Sequence, residues 1–266
     1  MKHMSGYFKT GALLTAVLLV LIIVGQFWTP YDPETMSPAE KLQAPSAAHW
    51  MGTDNFGRDI FSRVIRGAGT TLGIALATVI ISCIVGTVIG ALTGYFGGRV
   101  DVILMRFNDA LTAFPSILLG LVFVSVLGSG TQNVILALSI VFTPSFARVS
   151  RSAYASVRDA NYVKSARLMG AGKVRILAVH ILPNILQVLL PALTIGFNNA
   201  VLAEASMSYL GIGSMDSLGY ILSDAQSMLY SAPWYALCAG GTIVLLIFGV
   251  GLMGEGLQRG EGGRYA

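Results

Sequence analysis

Few side chains in this 266-residue sequence have the types and spacing that do chemistry. His3, His49 and His180 are scattered, and Cys83 and Cys238 each lie in an apolar run. Neither a metal-ligand set nor a disulfide framework nor a CxxC redox pair results. The one Gly-Lys pair, Gly172-Lys173, is followed by Val174 and lacks the spacing of a phosphate-binding loop. No cluster of polar catalytic groups falls on one face. The sequence therefore predicts no catalytic residue, no metal site and no cofactor held by this chain. What remains is a carboxylate in an apolar stretch, Glu204, with Ser208 one helical turn later. A carboxylate close to lipid is costly without a role. Glu204 and Ser208 are thus candidates for a path or gate, and a structural hydrogen bond stands level with that reading.

The elements that must position these residues are membrane spans. Only 11% of the residues are charged and 54% are hydrophobic, with a mean hydropathy of +0.70. Soluble domains carry about 25% charged residues, so the surplus apolar surface faces lipid. Charge-free runs predict six helices, at residues 10–31, about 72–96, from Asp109 to the polar GSGTQN at 128–133, then 134–147, 185–203 and 234–253. The first run is too long for a cleaved signal peptide and no A-x-A site follows it. The fourth is short and is expected to continue past Arg148, with that side chain snorkelling. With the N-terminus placed inside, the inner segments hold thirteen of the seventeen basic residues, and only Lys41, Arg58, Arg63 and Arg66 fall outside. That asymmetry predicts cytoplasmic N- and C-termini. It also accounts for the net charge of +4 without nucleic acid.

Gly86, Gly90 and Gly94 put two overlapping GxxxG steps on one face of the second span, where a neighbouring helix can approach closely. Packing within the subunit is the first reading, and contact with a partner subunit the sharper one. Pro115 and Pro144 are expected to kink the third and fourth spans. Residues 151–184 are too charged to span. They read as two short helices around the break Gly170-Ala171-Gly172, closed by Pro183. The apolar residues of the first helix, Val163, Ala166, Leu168 and Met169, suggest docking on a partner.

In this segment Lys164-Ser165-Ala166, then Gly170, then Ile181-Leu182-Pro183 resemble the EAA loop of ATP-binding-cassette (ABC) importer permeases. Lys164 and Ser165 depart from the usual Glu and Ala. GTDNFGRD at 52–59 with Ser62-Arg63 resembles the GTDxxGRDxxSR signature of the peptide/nickel permeases, in particular their dipeptide, oligopeptide and nickel "C" subunits. GYFGGRVD at 94–101, EASMSYLGIG at 204–213 and GEGL at 254–257 are similar to further motifs of that family. Residues 214–219 lack the Pro-rich segment usual after Gly213. The resemblance covers residues 26 to 259.

It implies an all-α polytopic membrane protein with six transmembrane helices and the type I ABC importer permease fold. It would comprise a tail and first helix (1–31), an external segment (32–69), a five-helix core (70–259) with a coupling loop at 151–184, and a short tail (260–266). The coupling loop would use Val163, Lys164, Ser165, Ala166, Met169, Gly170, Ala171, Ile181, Leu182 and Pro183 against an ATPase subunit. The implied partners are a homologous permease, two ATP-binding subunits that hold ATP and Mg, an extracytoplasmic solute-binding protein and the lipid of a bacterial inner membrane. The implied cargo is a dipeptide, an oligopeptide, nickel or a metal chelate. A stand-alone secondary transporter or channel is the alternative, and it would call for inverted repeats and broken helices with charges at the midplane.

Overall fold

The computed structural model describes residues 6–262. Nine helices are used below: α1 (Gly6–Phe27), α2 (Ile60–Phe96), α3 (Gly98–Thr112), α4 (Ser116–Leu127), α5 (Thr131–Val157), α6 (Asn161–Leu168), α7 (Lys173–Tyr209), α8 (Leu218–Gln226) and α9 (Pro233–Gly262). Five of them are long and apolar enough to cross a membrane. The α3–α4 pair makes a sixth span if its two halves are taken together, and the two meet at 90°. Most of the expected tail, from residue 263 on, lies outside the described residues, as do Lys2 and His3.

The bundle has two ends. At one lie the 28–59 loop, the start of α2 and α8; at the other, the α6–α7 hairpin and the ends of α2 and α5. We call them the loop end and the hairpin end. The centre is the parallel pair α2 and α5, in register from Gly86 beside Phe146 to Gly94 beside Tyr154. A carbon added at Gly90 would meet Ser150 Cβ, with Arg151 N at 2.6 Å and Ala147 O at 2.8 Å. Gly86 stands in the same relation to Phe146 and Ala147, and Gly94 to Arg151 and Tyr154. The glycine stripe thus seats α5 of the same chain, which is the within-subunit reading. In a second close pair, α1 on α9, a carbon added at Gly11 would lie 2.7 Å from Met253 N and one added at Gly249 would lie 2.6 Å from Thr15 Oγ1.

Several expected boundaries move, each for a local reason. The second span does not start near residue 72: α2 is helical from Ile60, because Asp59 caps it by accepting from Ser62 N at 2.8 Å. Its 37 residues make about 55 Å at ~1.5 Å each, so the helix extends well past a hydrocarbon core of about 30 Å. The third span is broken rather than kinked. Proline disfavours helical backbone in the residue before it, so Phe114-Pro115 ends α3 and starts the 12-residue α4 in a new direction. Pro144, by contrast, stays inside α5. The half-exposed Arg148 finds its partners on α3: its Nη2 donates to Thr112 Oγ1 at 2.5 Å and lies 3.4 Å from Asp109 Oδ1. Pro183 does not close the hairpin. Residues Ile176–Ile181 widen into a π turn in which Leu182 N donates to Leu177 O. The wider turn lets the proline ring pass without ending the helix, and the hairpin's second arm runs straight into the fifth span.

Candidate functional site

Three sites emerge from this frame. At the hairpin end, α6 terminates in a Schellman turn: Ala171 N donates to Ala166 O at 3.0 Å and Gly170 N to Arg167 O at 3.1 Å. Gly170 has φ +81°, and nothing lies within 4 Å of where its Cβ would be, so backbone conformation and not space requires glycine there. The hairpin has two apolar faces. Val163, Ala166, Ile176 and Ile181 are buried against Tyr154 of α5, Ala91 of α2 and Ile185 and Leu189 of α7. Leu168 (89% exposed), Met169 (80%) and Val174 (79%) point away. The expectation that all four apolar residues of α6 face a partner is therefore corrected. Val163 and Ala166 sit at i and i+3 on the inner face and fix the hairpin to its own subunit, while Leu168 and Met169 sit outward. Lys164 and Ser165 are exposed, Ala171 is half-buried against the core, Leu182 is half-buried and Pro183 exposed.

At the loop end, a buried ion network explains the GTDNFGRD motif, for which the sequence offers a signature but no geometry. Asp54 is fully buried; its Oδ1 accepts from Phe56 N (2.8 Å) and Arg58 N (2.9 Å), and its Oδ2 from Arg58 Nε (2.6 Å) and Arg63 Nη1 (2.7 Å). Arg63 Nη2 reaches Asp224 Oδ2 of α8 at 3.0 Å, and Nη1 also donates to the Tyr235 hydroxyl of α9. Asp59, besides capping α2, lies 2.9 Å from His49 Nδ1. Gly57, at φ +78°, leaves no room for a side chain beside the Ser37 carbonyl. The motif thus folds the 28–59 loop onto the loop ends of α2, α8 and α9.

Glu204 and Ser208 lie inside the subunit, 0% and 1% exposed. Ser208 Oγ donates to Glu204 Oε1 at 2.7 Å and accepts from Ser214 N at 3.1 Å. The hydroxyls of Thr71 and Ser217 face the carboxyl group, and Oε2 makes no hydrogen bond among the described residues. This pair ties the last turns of α7 to the chain entering α8, where Leu218 N donates to Thr71 Oγ1 at 3.1 Å. The helix α8 is too short to stand out as a charge-free run. Its signals were the capping Ser217, which accepts from Tyr220 N, and buried Leu218, Ile221 and Ala225 at helical spacing.

A bundle of this kind, with one end tied by buried ion pairs and the other carrying a rigid hairpin with an exposed apolar tip, defines a polytopic helical membrane protein. The chain belongs to the family of binding-protein-dependent transport system inner membrane components, whose pattern matches residues 86–260. It is similar to the dipeptide transport system permease protein DppC of Alkalihalophilus pseudofirmus, with 38% identity over 92% of this chain and 82% of that protein. It is also similar to the nickel transport system permease protein NikC of Escherichia coli, with 34% identity over 94% and 91%. The fold matches a chain of the inward-facing MetNI methionine ABC transporter with a TM-score of 0.63 at 21% identity, over 74% of this chain and 94% of that one. The chain is a permease subunit of a binding-protein-dependent transport system.

Proposed function

We propose that this permease works in an ABC importer, paired with a homologous permease, and that two separate ATPase subunits holding ATP and Mg drive it. The cargo would be a short peptide or a metal chelate, delivered by an extracytoplasmic solute-binding protein. The hairpin end faces the cytoplasm in this reading, as do both termini, in keeping with the basic residues gathered there. The coupling loop is the α6–α7 hairpin.

One observation carries the reading. Leu168, Met169 and Val174 are exposed on a hairpin whose opposite face is locked into the subunit core. Exposed apolar clusters mark interaction surfaces, and the continuous α7 turns any push on the tip into motion of a spanning helix. Nucleotide-driven closure of the ATPases would move the two hairpins and reopen the pathway outward. Glu204 and Ser208 brace the outer end of α7 instead of lining the path.

The test is transport by the reconstituted complex. Leu168→Asp with Met169→Asp changes only exposed side chains, so membrane insertion and thermal stability should be unaffected, while cargo-stimulated ATP hydrolysis and uptake fall at least tenfold. Gly170→Asp, which forces a β-carbon into the positive-φ position, should uncouple in the same way. Wild-type uptake by the double variant would end the coupling-loop assignment. Uptake by the chain reconstituted alone would favour a secondary transporter.

A further inference from the structure

A cavity of about 490 Å³ opens on the lateral face of the bundle where α3, α4, α5 and α7 converge. That is within the size range of small-molecule sites. Its lining includes Ser116 at the start of α4, Ser145 near the middle of α5 and Asn199 within the spanning part of α7. All three are exposed to the cavity, and no hydrogen-bond partner within the chain is found for their side chains among the described residues. Neighbouring hydroxyls behave differently. Thr143 Oγ1 and Ser206 Oγ each donate to the carbonyl four residues back at 2.7 Å, the usual way a helix satisfies such a group in lipid. Thr112 of the lining accepts from Arg148 Nη2, whose charge is paired with Asp109 outside the cavity.

An asparagine amide and two hydroxyls facing hydrocarbon would go unsatisfied, so something polar must meet them. We infer that this cavity is a contact site for cargo in transit, and that it takes the backbone amides of a short peptide. The chemistry fits that ligand: Asn199 both donates and accepts, as do Ser116 and Ser145, and an amide N–H and C=O need that mixture. Recognition through backbone groups would tolerate varied side chains, which suits a path whose selectivity is set upstream. The inference rests on the importer reading and narrows its cargo class.

The experiment uses the full transporter with Cys83→Ser and Cys238→Ser, and with Asn199→Cys or Ser145→Cys added one at a time. A water-soluble methanethiosulfonate reagent should label both cysteines. A saturating dipeptide delivered by the binding protein should slow labelling at least fivefold, and nickel–histidine chelate should not. In the otherwise native complex, Asn199→Leu should raise the transport KM for dipeptide at least tenfold, and Asn199→Gln should recover most of it. Absence of labelling in every nucleotide state would overturn the proposal. So would a disulfide between Asn199→Cys and the partner permease in a complex that still transports, or protection by the chelate and not by peptide. Failure of the importer reading is seen separately, as absence of ATP-dependent uptake by the unmodified complex; the labelling result stands apart from it.

Discussion

Arg63 Nη1 lies 2.7 Å from Oδ2 of Asp54, and the two side chains are 8% and 0% exposed. Nine residues separate them, and between them the chain makes the turn that returns it to the bundle. Because Arg63 also binds Asp224 and Tyr235, one guanidinium holds the loop, α8 and α9 together. Removing one partner of such a buried pair leaves an uncompensated charge, at a cost of about 3–5 kcal/mol. Arg63→Met alone should therefore lower the thermal stability of the purified subunit severely. Arg63→Met combined with Asp54→Asn should cost clearly less than the sum of the two single changes. The coupling is read from a double-mutant cycle on unfolding midpoints; additive effects would mean that the pair is not a unit.

The glycine stripe makes a second prediction, with its own control. Gly90 packs directly on α5 backbone, while Gly73, on the same helix, has nothing within 4 Å of its missing Cβ. Gly90→Ala must push α5 away and should destabilise by about 1–3 kcal/mol, the usual cost of overpacking. Gly73→Ala should be neutral or gain up to about 1 kcal/mol of helix propensity. Unfolding midpoints in detergent should separate the two alanines; equal effects would show that the α2–α5 contact is not tight.

These contrasts mark how far the sequence could be read. Span number, the hairpin and the glycine face follow from charge-free length and from periodicity, which are local properties. The break at Pro115 is hidden because the charge-free run from Ala110 to Leu127 reads as one helix, and only the restriction on Phe114 shows that it turns. Pro183 misled in the opposite direction, since the π turn that absorbs it has no compositional signature. The partners of Arg63 lie 161 and 172 residues away in Asp224 and Tyr235, and nothing in the spacing of GTDNFGRD indicates them. Likewise, Val163 and Leu168 look alike in sequence, and it is the position of α5 that buries one and exposes the other.

Glu204 decides between two roles. As a gate, its carboxylate would be needed for passage. As a brace, it is needed for the bond to Ser208 Oγ, which in turn receives Ser214 N. The burial of both residues favours the brace, and the two roles predict opposite results for the isosteric change. Glu204→Gln keeps an oxygen for Ser208 and adds an amide that can donate to the hydroxyl of Thr71 or Ser217, both of which face it. It should fold within about 1 kcal/mol of wild type, less than a lost buried hydrogen bond costs, and transport normally. Glu204→Ala leaves Ser208 Oγ without its acceptor and opens a void between α7 and α2. It should cost about 1–3 kcal/mol, with uptake reduced in proportion to the folded protein recovered. Stability and uptake measured on the same preparations resolve the question: a glutamine variant as stable as wild type but inactive in transport would return Glu204 to the gate.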